Sequence, residues 1–248
     1  MKVTTNELFK KLKLSAFSEN IERLSKLGEK KDWSYGEFLH EICTLEIESR
    51  AEKRTERLLK QARIPPKYSL ENLDRKLLTS KIKKSLPSLL DGSFVEKAEN
   101  ILSFGLPGRG KSHLLGAIGR ELILRHNISV YFSSTFKIVE SLLIAKKNLE
   151  LERALKRLDR YDVIILDDIG YVQQDKHEME VLFTLLAERY ERKSLMISSN
   201  LVFSKWDKIF KDTMTTMAAI DRLVHHSIIL EHTGPSIREA EAKKAISQ

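Results

Sequence analysis

The segment Gly105-Leu106-Pro107-Gly108-Arg109-Gly110-Lys111-Ser112 restricts the possible folds of this chain more than any other. It follows a short apolar run, residues 101–104, that reads as a buried strand. It opens into residues 112–126, whose apolar spacing predicts a helix. Strand, glycine loop and helix together give the pattern G-x-x-x-x-G-K-S a mechanism. Glycines let successive backbone N–H groups turn inward toward phosphate oxygens, with the positive end of a helix dipole behind them. Lys111 then reaches the β- and γ-phosphates of ATP, and the Ser112 hydroxyl holds Mg²⁺. All eight residues, 105 to 112, form the expected nucleotide cradle.

From residue 101 onward apolar runs alternate with helical lengths. Expected strands lie at 101–104, 129–132, 162–166, 195–199 and 228–230, with helices near 112–126, 136–158, 176–192 and 217–226. Short apolar strands separated by helices predict an α/β fold: a five-stranded parallel sheet covered on both faces. The run Tyr161-Asp-Val-Ile-Ile-Leu-Asp167-Asp168 is a strand ending in two carboxylates, and open α/β sheets place ligand chemistry at such ends. Asp167 is the expected Mg²⁺ partner opposite Ser112, and Asp168 the group that polarises the attacking water. The alternative is an Asp-Asp pair capping a turn before Gly170.

Leu195-Met-Ile-Ser-Ser-Asn200 is a further strand ending in an amide. If that strand lies between the phosphate loop and Asp167, Asn200 can orient the lytic water. Arg222 precedes the last strand, where a guanidinium is poorly placed for its own nucleotide and well placed for a neighbour's; the alternative is a surface pair with Asp221. Arg238 is a candidate second phosphate sensor. His225-His226 lacks the spacing of a metal site, and Trp33 and Trp206 read as apolar anchors.

The 248 residues carry a formal net charge of +8, which favours a polyanionic partner. A lone cysteine, Cys43, excludes an internal disulfide framework and fits a reducing cytoplasm. No apolar run reaches membrane-spanning length, and the first residues lack a signal-peptide core. Residues 1–66 read as a small all-helical N-terminal domain. Leu14, Phe17, Ile21, Leu24 and Leu27 share one helix face that Gly28 ends. Ser34 and Glu37 form a capping-box pattern for a second helix, running through the charged stretch 50–57 until Pro65-Pro66 stops it. That stretch is either a solvated face or a nucleic-acid contact. Residues 67–100 read as a connector with a helix around 77–86, and 101–248 as the ATPase domain.

Several of these segments together resemble the IstB family, ATP-dependent helpers of insertion-sequence transposition. They are the 105–112 loop, Leu166-Asp-Asp-Ile-Gly-Tyr171, Ser198-Ser-Asn-Leu-Val-Phe203, Asp221-Arg-Leu-Val-His-His226, Phe183-Thr-Leu-Leu-Ala-Glu-Arg-Tyr190 and Thr233-Gly-Pro-Ser236. The resemblance spans nearly the whole chain and implies an AAA+ core similar to DnaC-type helicase loaders. It implies an ATPase that forms homo-oligomers on duplex DNA with ATP between subunits, remodels that DNA, and recruits and stimulates a partner transposase. Asp168 stands where many relatives carry glutamate. In this picture DNA phosphates meet Lys137, Lys146 and Lys147 before Asp167, and Lys53, Arg54 and Arg57 in the N-terminal part. A helicase loader is the nearest rival, since its ATPase core would read almost the same; a small-molecule kinase would have little use for Asn200 or Arg222.

Overall fold

Five parallel strands with alternating side chains organise the larger part of the chain. The computed structural model describes residues 4–169, 176–201, 221, 223–233 and 236. The chain divides into two units, 1–57 and 58–248.

In the first unit, α1 (Thr5–Lys11) is capped by the Thr4 and Glu7 side chains, and α2 (Ser15–Lys31) and the start of α3 (Tyr35–Ala62) follow. The helix expected to stop at Gly28 runs on to Lys31 and ends at Asp32, whose φ of 53° is left-handed. Gly28 serves packing instead: a Cβ there would lie 3.2 Å from the Trp33 ring. Leu14 precedes the helix as its cap residue and is not on its face. The Ser34–Glu37 box closes as its pattern requires, Ser34 N–H donating to Glu37 (2.7 Å) and Glu37 N–H to Ser34 Oγ (3.2 Å). Helix α3 ends at Ala62, three residues before Pro65, and Arg63 follows with φ 56°.

In the second unit the strands are β1 (Asn100–Phe104), β2 (Val130–Ser134), β3 (Val163–Asp167), β4 (Ser194–Ser199) and β5 (Ser227–Glu231). They pair in the order β2-β3-β4-β1-β5, all parallel. Ile101, Ile165 and Met196 enter one core, while Leu102, Ile164, Leu166 and Ile197 enter the core on the opposite face. This period of two, with both faces buried, explains why the strands read as continuous apolar runs. One face is covered by α7 (Thr135–Lys147) and α9 (Lys176–Arg189), through Ile138, Leu142, Leu182 and Leu185. The other is covered by α6 (Lys111–His126) and α4 (Ser80–Leu90).

Residues 67–100 pack as part of this core: Leu73, Leu78, Ile82, Leu86, Leu89 and Phe94 are all buried in it. Pro87 lies inside α4, because the buried Leu86 and Leu89 on either side hold the last turn in place. The single helix expected over 136–158 is two, α7 and α8 (Leu151–Leu158), parted where Leu149 takes a φ of 59°. The four-residue α5 (Ser93–Glu96) leads into β1. Among the described residues, no helix is long and apolar enough to cross a membrane.

Candidate nucleotide site

The phosphate loop leaves β1 at Gly105, whose N–H donates to the Ser199 carbonyl (3.2 Å). A Cβ on Gly105 would lie 2.6 Å from the His232 carbonyl oxygen, so no larger residue fits. Gly108 and Gly110 adopt left-handed φ of 77° and 79°, which only glycine takes without strain. Lys111 starts α6 and is 8% exposed. Its Nζ donates to the carbonyls of Gly105 (2.6 Å) and Leu106 (3.0 Å), which keeps the positive charge over the loop. Ser112 follows in the first helical turn, while Leu106 is exposed. Arg109 turns back to donate to the His232 carbonyl (2.9 Å), bracing the loop against the end of β5.

Because β4 lies between β1 and β3, the three strand ends meet on one edge. Asp167 ends β3, and its Oδ1 accepts from Ser198 Oγ (2.6 Å). Asp168, left-handed at φ 60°, donates its N–H to the same Ser198 oxygen (2.8 Å). One buried serine therefore fixes both carboxylate-bearing residues. Asn200 follows β4, and its Oδ1 is buried with no hydrogen-bond partner among the described residues. An amide oxygen in that condition carries a desolvation cost that a bound polar group would remove. Ser112 and Asp167 offer hydroxyl and carboxylate oxygens, the hard donors Mg²⁺ prefers. The left-handed glycines of the loop, the retained lysine charge and the orphaned amide all fit a nucleotide with its metal.

The structure thus brings residues 105–112, Asp167, Asp168 and Asn200 together. Arg222 and Arg238 lie outside the described residues, as does Trp206. Lys137 and Lys147 are exposed on α7, while Lys146 is held by Glu180 (2.5 Å). In the N-terminal unit Arg54 and Arg57 are exposed, and Lys53 reaches Ser15 Oγ (2.8 Å).

Two contributors escaped sequence reasoning. Ser198 was legible only as a hydroxyl in an apolar strand level with Asp167. His232 gives no local signal, since its partners are about 120 residues away in β1 and the phosphate loop. His232 is 2% exposed; its Nδ1 lies 3.0 Å from the Arg109 carbonyl and its Nε2 2.9 Å from Ser103 Oγ. A carbonyl only accepts, so Nδ1 carries the hydrogen and Nε2 accepts from Ser103. Burial first, then the Lys111 and Arg109 charges, push the ring down to about 4, against the opposing bond to Arg109. The unfolded chain therefore binds this proton first. The stability that the neutral ring contributes is intact above about pH 6.5 and lost as pH falls toward 4. Urea unfolding at about pH 5 should show about 2 kcal/mol lost to this group relative to neutral pH. His232→Gln, which keeps a polar side chain without the titration, should lose correspondingly less over the same interval.

Residues 7–245 match the family described as IstB-like ATP binding protein. The chain belongs to that family. An insertion sequence ATP-binding protein of Sinorhizobium fredii is 41% identical over 88% of this chain and 73% of its own length. The insertion sequence IS21 ATP-binding protein of Pseudomonas aeruginosa is 36% identical over 96% of this chain and 89% of its own. Among solved structures, the DnaC helicase loader superposes with a TM-score of 0.58 at 18% identity, covering 68% of this chain and all of that one. AMPPCP-bound DnaA from Aquifex aeolicus gives 0.56 at 20% identity, over 75% of this chain and 56% of that one. The chain thus shares the AAA+ P-loop fold with these proteins.

Proposed function

We propose that this chain is an Mg²⁺-dependent ATPase that assembles on duplex DNA, remodels it, and recruits and stimulates the transposase of its own insertion sequence. The observation that carries the reading is the single sheet edge shared by the phosphate loop, the Asp167-Asp168 pair and Asn200. Relatives named for insertion sequences match at 41% and 36% identity, whereas the helicase loader matches at 18%, which speaks to fold alone. Transposition is therefore favoured over helicase loading.

In this reading Lys111 and the loop N–H groups bind the phosphates, and Ser112 with Asp167 holds the metal. Mg²⁺, when bound, spreads the charge that develops on the phosphate oxygens. Asp168 accepts the proton of the attacking water, and Asn200 fixes that water's orientation. Arg222 of a neighbouring copy supplies positive charge to the γ-phosphate. An interface closed in this way is stabilised by the nucleotide it encloses, so assembly follows ATP by mass action. Residues 1–66 make partner or DNA contacts, and the exposed cations of α7 and of the N-terminal unit meet phosphates with little sequence readout.

Sedimentation with plasmid and a non-hydrolysable ATP analogue tests the reading. The native chain should move to large DNA-bound species only when analogue is present, and Lys111→Ala should stay in small species. A Lys111→Ala chain that assembles like the native one refutes the nucleotide-dependent interface.

A further inference from the structure

A cleft of about 670 Å³ lies along β2, the strand at the edge of the sheet. Three strand spacings separate β2 from β1 in the sheet order, roughly 14 Å, so this cleft is distinct from the phosphate loop. Arg63, Lys137, Arg157 and Arg160 line it, and no carboxylate is among its described lining residues. None of these four cations takes part in an ion pair among the described residues. The neighbouring acids are engaged elsewhere: Asp159 with Arg192 (3.0 Å), Asp162 with Lys193 (3.7 Å) and the Ser129 hydroxyl (2.6 Å).

The same cleft holds an aromatic surface. The Tyr131 and Tyr161 rings lie 5.0 Å apart, and the Arg63 guanidinium sits 5.6 Å from the Tyr131 ring centre. Cations with no counter-charge beside paired rings are the combination that binds a nucleic-acid strand, the cations taking phosphates and the rings a base or sugar face. The volume falls in the range of about 300–1,000 Å³ typical of pockets for ligands of nucleotide size. An acidic peptide would satisfy the charges but leave the rings unused.

We propose that the β2-edge cleft grips one strand of bound DNA, with phosphates against Lys137, Arg157 and Arg160 and a sugar or base against the Tyr131–Tyr161 pair. The inference rests on the DNA-binding reading and assigns it a site. It adds Arg63, Arg157 and Arg160 to Lys137, and it excludes Lys146, which Glu180 already holds.

The test is fluorescence anisotropy of a labelled oligonucleotide with the full chain and a non-hydrolysable ATP analogue, across about 50–200 mM salt. Both arginines are exposed, so Arg157→Gln/Arg160→Gln should fold, and unchanged affinity for a fluorescent ATP analogue verifies that. The double variant should bind DNA about tenfold or more weakly at low salt, with a salt slope shallower by about 1.4–1.8. Lys146→Gln should leave the slope unaltered. Native-like affinity and slope in the double variant overturn the cleft while leaving the DNA reading intact. A native chain that binds no oligonucleotide overturns both. Loss of poly-glutamate binding with DNA binding unchanged would make the cleft a peptide site and also overturns the proposal.

Discussion

Asparagine in place of Asp168 is expected to lower ATP turnover by about 10²–10⁴-fold while leaving nucleotide affinity nearly unchanged. The substitution isolates the carboxylate. Asp168 occupies a left-handed backbone conformation at φ 60°, which asparagine tolerates as well as aspartate does. Its tie to Ser198 runs through the backbone N–H and survives the change. What is removed is the carboxylate's charge and with it the capacity to take a proton from water. Phosphate release in the presence of DNA, set beside binding of a fluorescent ATP analogue, separates the two effects. Turnover equal to that of the native chain would mean that ATP acts here without being hydrolysed at this carboxylate.

The second large effect concerns stability. Arg189→Met should cost about 3–5 kcal/mol, read as a lower urea midpoint. Arg189 is 1% exposed and donates to the carbonyls of Leu158 (3.5 Å), Tyr161 (3.1 Å), Asp162 (2.9 Å) and Ser194 (3.1 Å). Burial brings its guanidinium down to about 10, a shift that nearby Asp159 and Asp162 oppose and Arg192 adds to. The side chain therefore remains charged at neutral pH and clamps the end of α8 and the entries to β3 and β4. Methionine fills much of the volume but leaves four carbonyls without this donor. Lysine should also fall short, because a compact ammonium cannot span carbonyls placed for a planar fork. If Arg189→Met keeps the native midpoint, these bonds contribute nothing net.

Parts of this architecture are written locally, and those are the parts that could be read. The phosphate loop, the strand ending in Asp167-Asp168 and the apolar runs all depend on neighbours within a few residues. Even the insertion of β4 between β1 and β3 was legible conditionally, because Asn200 has a role only in that order. Tertiary contacts decided the rest. Gly28 resembled a helix stop, but the Trp33 ring packs 3.2 Å from where its Cβ would be. Residues 67–100 read as a connector because their apolar side chains are interrupted by charges and a proline. What makes them core is Ile82, Leu86 and Leu89 meeting α6 and the sheet. Ser198 and His232 act across strands, through partners 30 or more residues away, where no spacing rule reaches.

In the proposed assembly one nucleotide site is completed by two copies of the chain. Mixing two inactive variants tests it most directly. Asp168→Asn retains Arg222, and Arg222→Ala retains the carboxylates, so each alone should hydrolyse little ATP. When they are mixed on duplex DNA, interfaces that join the intact half of each should form, and turnover should rise well above the sum of the separate rates. A mixture that stays at that sum contradicts a site shared between neighbours.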